Sequence, residues 1–390
     1  MSAHAERAHA KLSASGSHRW LACPGSVRLE SQFPDQSSEY AAEGTAAHEL
    51  AELMLRYKLG ELNQRQYDAQ LKKHKAGEHY SQEMHEYMET YTDLVIERIN
   101  TTRSETPDAT VLLEHRLDFS PWVPDGFGTG DVVIISEGTV EIIDLKYGKG
   151  IPVSAWENSQ MRLYALGAYH EFSFIYDVDT VKMTIVQPRL DNISEDTLTV
   201  EELLDWAEKV VKPKAQEALS DNGELVAGDH CRFCRARHTC RVRAEANLAL
   251  ARYDFQDPNL LSLEEIGEVL AKADELKAWV GDVEKYALEQ AHKHGVKIPG
   301  WKLVEGRSNR KYKDENQVAE RLISEGYSEK DIFQKKLLGI SKMEKVVGKL
   351  SFQELLGDLV IKPAGKPVLV PESDKRPELN SIESAQKDFS

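Results

Sequence analysis

The chain has 390 residues, 41% hydrophobic and 29% charged. That is the composition of a soluble globular protein with apolar material for two or three domain cores. It contains no run of about 18 apolar residues, which excludes a membrane-spanning helix, and its opening MSAHAERAHAKLSASGSHRW has no apolar signal core. Sixty-five Asp and Glu against 49 Lys and Arg give a net charge of −16, which taken alone argues against nucleic acid, since phosphate binding draws on cationic surface.

In chain order, residues 39–57 are rich in Ala, Leu and Glu and predict a helix. Residues 60–82 are polar and uneven, a loop or short helix. A second helix is expected over 83–99, where Met84, Tyr87, Met88, Tyr91, Leu94 and Val95 recur at spacings of three and four. Three short β-branched runs follow, 109–117, 130–136 and 139–147, the last two separated by Glu137-Gly138 as a tight hairpin requires. A helix at 155–170, a strand at 180–189 and a helix at 200–219 complete an α/β core on a mixed sheet flanked by helices. Beyond it the sequence predicts helix over 240–294, one more strand within 297–313, and helices over 315–326 and 342–357. From 362 the chain is rich in Pro, Ser and charge and reads as a flexible tail. The expected division is a core domain over 1–243, a mainly helical region over 244–361 and a tail over 362–390. No repeat or coiled-coil heptad is visible.

Asp131 opens the second strand run, and Asp144 and Lys146 end the third as Asp-Leu-Lys. Residues i and i+2 of a strand share a face, so Asp144 and Lys146 point the same way. A hairpin of these two strands sets Asp131 near Asp144 and Tyr147. Two carboxylates so placed suit a hard divalent cation, and a lysine beside them suits phosphodiester hydrolysis. A surface ion pair is the other reading of Asp-x-Lys. Gln160 and Tyr164, at i and i+4, share one face of the following helix. His48, inside the first helix, offers an imidazole for a metal shell.

In this order the motifs resemble those of the PD-(D/E)XK nucleases, in particular the RecB-like exonucleases. The resemblance implies that His48, Asp131 and Asp144 bind Mg²⁺ or Mn²⁺. It also implies that Lys146 assists the attacking water and that Gln160 and Tyr164 contact DNA. Glu114, in the preceding strand, corresponds to an acidic residue of some members and is a weaker candidate ligand, a solvent-facing strand glutamate being the alternative.

The four cysteines are Cys23 and, 208 residues later, Cys231, Cys234 and Cys240, spaced C-x₂-C-x₅-C. In a chain expected to stay in the cytoplasm, this pattern points to metal rather than disulfides. Zinc could use Cys231, Cys234, His238 and Cys240, whereas a 4Fe–4S cluster would use all four thiolates. The setting of Cys23, a Ser-rich stretch, an aromatic and then Cys-Pro, resembles the opening of the iron-staple nucleases, including AddB-type helicase–nucleases and CRISPR-associated staple exonucleases. That resemblance implies a structural 4Fe–4S cluster joining residues 20–30 to 230–242.

Arg232, Arg235, Arg237, Arg241 and Arg243 place +5 within residues 231–243 with no acid among them, a candidate phosphate-binding surface. Lys302, Arg307, Arg310, Lys311 and Lys313 beside Trp301 and Tyr312 form a second, weaker candidate, of a kind suited to single strands. The acids concentrate elsewhere: residues 254–290 hold ten acids and three lysines. The expectation is one basic face with the acidic helices turned away. The segment GDLVIKPAGKPVLVPESDKRP resembles phage and prophage members of the nuclease group. Together these readings imply a DNA exonuclease of phage recombination or DNA processing, acting on single strands or duplex ends beside other recombination proteins. A catalytically silent DNA-binding or assembly protein on the same fold, or an unrelated zinc protein, are the alternatives. Oligomeric state is not legible.

Overall fold

Successive β-branched runs need a sheet, and the Ala- and Leu-rich stretches between them must cover its faces. The computed structural model describes residues 10–34, 39–249, 261–304, 313–333 and 337–361. The chain divides into two compact units, Met1–Glu289 and Gln290–Ser390.

The first unit opens with two short helices, α1 (Ser17–Ala22) and α2 (Ser26–Glu30). Three longer ones follow: α3 (Glu39–Lys58), α4 (Gln64–Lys75) and α5 (Gln82–Glu105). The uneven 60–82 stretch resolves into α4 because Asn63 and Gln66 form a reciprocal capping box. The sheet then forms from β1 (Thr110–Asp118), β2 (Phe127–Ser136) and β3 (Gly138–Leu145) as an antiparallel meander. Ser136 pairs with Thr139, and Gly138 takes the left-handed φ of +77° that the intervening turn requires. Helix α6 (Ser159–Phe172) crosses over to β4 (Val178–Gln187), which runs parallel to β3.

A fifth strand, β5 (Asn192–Thr199), lies outside the predicted set. It pairs antiparallel with β4 at the sheet's edge, and its residues NISEDTLT are too polar to show a strand pattern. Helices α7 (Val200–Trp206) and α8 (Lys212–Leu219) occupy the predicted 200–219 helix, joined by a π turn over Ala207–Val211. The turn lies just ahead of Pro213, which has no N–H to continue the α-helical ladder. The predicted 240–294 helix appears as α9 (Arg241–Leu248) and α10 (Leu263–His294), with 250–260 outside the described residues.

The mixed five-stranded sheet, in order β1-β2-β3-β4-β5, is covered on both faces. On one face Val133, Ile135, Val140, Ile142 and Ile185 pack with Met161, Leu163 and Leu166 of α6. On the other, Val132, Ile134, Ile143 and Leu145 pack with Leu50 and Met54 of α3 and Met88, Tyr91 and Val95 of α5. Burial on both faces explains the continuous apolar runs of β2 and β3. Each such aliphatic side chain contributes about 1.5–3 kcal/mol on leaving water, so the central strands form a stiff base for whatever stands at their ends.

Beyond the end of α10, the second unit's described α-helices are α11 (Glu315–Ser324), α12 (Glu329–Ile332), α13 (Ile340–Val347) and α14 (Lys349–Leu356). The single helix expected over 342–357 is broken at Gly348, whose φ of +84° cannot continue an α-helix. The strand expected within 297–313 does not form over 297–304, and 305–312 lie outside the described residues. So do the 362–390 tail and Arg307, Arg310, Lys311 and Tyr312 of the second basic candidate. Among the described residues no helix is long and apolar enough to cross a membrane.

Candidate functional site

Where β2 and β3 meet α3 and α6, one open cavity of about 430 Å³ is lined by His48, Glu114, Asp131, Asp144, Lys146, Gln160 and Tyr164. These are the residues singled out by the sequence motifs, brought from five elements to one place. Leu145 donates its N–H to Asp131 Oδ2 at 2.7 Å, which locks the Asp131 carboxylate across the hairpin beside Asp144. His48 Nδ1 lies 3.3 Å from Asp131 Oδ1. Tyr147, expected nearby, points the other way. It follows Lys146 by one residue and so takes the opposite face, where the Arg189 guanidinium lies 4.6 Å from its ring centroid.

Ligand atoms of His48, Glu114 and Asp131 all lie within 4.8 Å of one another. Glu114 thus stands closer to the centre than its sequence setting suggested. The β1–β2 ladder pairs Leu113 with Val132 and His115 with Gly130, which sets Glu114 across from Asp131. Its φ of +49° is a strained value for a non-glycine residue. No periodicity in TVLLEHRLD signals this; its only sequence clue is the position opposite Asp131.

Asp144 is nearly inaccessible, at 2% exposure. Its Oδ1 accepts from Gln160 Nε2 at 3.3 Å. Lys146 Nζ lies 2.8 Å from Oδ2, an ion pair whose carboxylate end is buried. A buried carboxylate is costly unless it is paired, and Lys146 supplies the pairing charge here. Gln160 joins the rest: its Oε1 accepts from Lys146 Nζ at 3.1 Å, and its Nε2 donates to Tyr164 Oη at 3.1 Å. Tyr164 is only 6% exposed and closes on Gly128, where a Cβ would lie 2.6 Å from Tyr164 Cε1. The Gln-x-x-x-Tyr pair therefore braces the carboxylates from beneath.

The charges are interdependent. Burial raises both aspartates, yet His48, the Leu145 N–H and Lys146 bring Asp131 below its ordinary value. Burial and the charge of Asp131 leave Asp144 above it. Two neighbouring carboxylates driven in opposite directions are a mark of functional sites. Burial alone would discharge His48, but Asp131 foremost, then Asp144 and Glu114, lift its imidazole to about 9. Burial also opposes the charge on Lys146, which Asp144 and Asp131 hold above the usual lysine value. Burial and the same carboxylates keep Tyr164 a neutral hydroxyl. The donor set of one imidazole and three carboxylates fits a hard divalent cation.

The four cysteines are free thiols that line a second, small cavity of about 10 Å³. They do not draw into a tight ligand group of the kind His48, Glu114 and Asp131 form. Cys23 reaches them because residues 23–25 lie directly on 223–226: Gly25 N–H bonds Glu224 O at 2.8 Å, and Val226 N–H points at Cys23 Sγ at 3.3 Å. Gly228 N–H points at Cys231 Sγ at 3.5 Å. Glu30 adds a polar tie, accepting from Arg19 Nε at 2.8 Å and from the Arg235 N–H at 2.7 Å. Burial, then the charge of Glu30, pushes the Cys234 thiol up to about 12. His238, the alternative zinc ligand, does not line this cavity. Its ring packs against Tyr286, with centroids 4.1 Å apart, and against Phe33.

The family described as "Protein of unknown function (DUF2800)" matches residues 9–377, a span that includes both cavities. The chain belongs to that family. A solved structure described as "Crystal structure of SSO0001" is similar at 13% identity over 62% of the DUF2800 chain and 91% of its own, with a TM-score of 0.25. A likeness that loose carries no argument about fold or chemistry.

The basic segment of this DUF2800 chain is not a uniform cationic face. Arg243 is 1% exposed, bonded through Nε to Glu275 at 2.7 Å and through Nη1 to Asp282 at 2.8 Å. Arg237 Nε also reaches Asp282, at 3.1 Å. Arg243 is thereby removed from the candidate phosphate surface. The expectation that the acidic 254–290 stretch faces away is corrected: α10 lays its carboxylates on these arginines. Arg232, Arg235 and Arg241 are exposed.

Proposed function

We propose that the DUF2800 chain is a divalent-metal-dependent deoxyribonuclease on a PD-(D/E)XK core, a RecB-like exonuclease of phage recombination or DNA processing. The observation that carries this is the convergence of His48, Glu114, Asp131 and Asp144 on one cavity, with Lys146 paired to Asp144 Oδ2. His48, Glu114, Asp131 and Asp144 would hold Mg²⁺ or Mn²⁺. When bound, the cation supplies Lewis-acid polarisation of a phosphodiester.

The remaining work falls to the chain's own groups. The Lys146 ammonium, kept charged by the two aspartates, would orient a water and offset charge developing on the phosphorus oxygens. Gln160 holds that ammonium through Oε1 while its amide holds Asp144, so the two move as a unit. Tyr164 anchors Gln160 from beneath.

The four thiols and the two N–H groups directed at sulfur support a structural 4Fe–4S cluster on Cys23, Cys231, Cys234 and Cys240. The absence of His238 from that lining weighs against the zinc set.

The test is cleavage of end-labelled single- and double-stranded DNA by anaerobically purified protein with Mn²⁺, beside Asp144→Ala. The reading predicts metal-dependent shortening that the variant lacks. Equal inactivity of both overturns it, and a colourless preparation whose metal analysis returns zinc overturns the cluster.

A further inference from the structure

The carboxylate cavity does not end at the carboxylates. Ala10, Ser13 and Ser15 line it, and the same three residues line a neighbouring cavity of about 440 Å³. The two adjoin along these residues and are taken together as one depression. The walls of the first lobe come from α3 on one side, at Gly44 and Thr45, and from the start of β2 on the other, at Phe127 and Thr129. The second lobe ends at Lys11, Arg19, Glu30 and Arg235.

Its charge is opposite to that of the chain as a whole. Lys11, Arg19 and Arg235 line it with a single carboxylate, Glu30, which accepts from Arg19 Nε and from the Arg235 N–H. Lys11 and Arg235 are exposed. Between the two ends stand small groups, the hydroxyls of Ser13 and Ser15, 3.3 Å apart. A depression with a carboxylate end, a hydroxyl-lined waist and a cationic end matches a chain of phosphodiesters, one presented to the carboxylates and the next ones held by lysine and arginine.

We propose that this depression is a track for single-stranded DNA, along which the backbone runs from the carboxylate end past Ser13 and Ser15 to Lys11 and Arg235. The assignment rests on the nuclease reading and names the strand's path within it. It also connects the two cavities functionally, since Arg235 belongs to the cysteine-bearing segment.

The test uses the full chain carrying Asp144→Asn in the presence of a chelator, with fluorescein-labelled oligothymidylates of three and twelve nucleotides, read by anisotropy over a salt series. The twelve-mer is expected to bind more tightly than the trimer. Lys11→Glu and Arg235→Glu are each expected to weaken the twelve-mer about tenfold and to reduce the salt slope by about 0.7 for each phosphate no longer neutralised. Thermal unfolding confirms that each variant is folded; where the glutamate variant is not, the glutamine variant at the same position replaces it, with a smaller loss expected. Variants that bind the twelve-mer with the parent's affinity and slope overturn the track. Cleavage by the wild type with Mn²⁺ separates the two claims: a protein that cleaves while the variants bind normally refutes the track alone, and one that binds through Lys11 and Arg235 without cleaving refutes the nuclease reading alone.

Discussion

Replacing Arg243 by methionine separates a structural arginine from a DNA-binding one. The guanidinium donates to Glu275 at 2.7 Å, to Asp282 at 2.8 Å and to the carbonyl of Arg237 at 3.1 Å. Removing one partner of a buried ion pair costs about 3–5 kcal/mol, mostly through the charge left behind. Here Asp282 keeps Arg237, and Glu275 is about one-third exposed and rehydrates, so the lower end, about 3 kcal/mol, applies. Methionine retains the apolar stem's packing. At about 2–4 °C per kcal/mol for a large domain, the first unit's transition in scanning calorimetry should fall by roughly 6–12 °C, while oligothymidylate affinity and its salt slope stay unchanged. An unmoved transition together with a salt slope reduced by about 0.7 would place Arg243 on phosphate and refute the packing of α10 against it.

The buried site yields a pH signature in the metal-free protein. His48 rises from 6.5 to about 9 on folding, so its stabilising contribution is complete below pH 6.5 and is lost as pH climbs through 9, up to about 3 kcal/mol in all. Urea midpoints of chelated protein should fall across that window, and the fall should be absent in His48→Gln; a difference between the two proteins that ignores pH would contradict this. Lys146→Met should lower single-turnover cleavage by about 10²–10³ without weakening Mn²⁺ binding by calorimetry, because Lys146 competes for Asp144 Oδ2; cleavage at the wild-type rate would remove Lys146 from the chemistry. In Gly128→Ala the new Cβ meets Tyr164 Cε1 at 2.6 Å, so Tyr164 must shift and carry Gln160 with it. Cleavage should drop by about tenfold with Mn²⁺ affinity kept, and an unaffected rate would show that Tyr164 braces nothing.

What the sequence made legible follows from where the physics is local. Helix α3 is visible because EYAAEGTAAHELAELMLRYK is helix-forming throughout, and β2 and β3 because strands buried on both faces need unbroken apolar runs. The edge strand β5 has only β4 beside it and can be polar, so it left no pattern. Among the site residues, Asp131, Asp144, Lys146, Gln160 and Tyr164 share one hairpin and the next helix, and their spacing alone sets which side they occupy. Glu114 depends on a strained φ that no residue type announces. Arg243 shows the opposite failure. A count of charge along residues 231–243 cannot register that a helix beginning at Leu263 returns with Glu275 and Asp282 to neutralise part of it.

The central claim is that His48, Glu114, Asp131 and Asp144 form a divalent-cation site, and anomalous diffraction from crystals grown with Mn²⁺ tests it most directly. A manganese peak is expected against Asp131 and Asp144, with His48 and Glu114 adjoining, and should disappear in Asp144→Ala. A map in which manganese lies away from these four residues, or keeps its place in the variant, would contradict it.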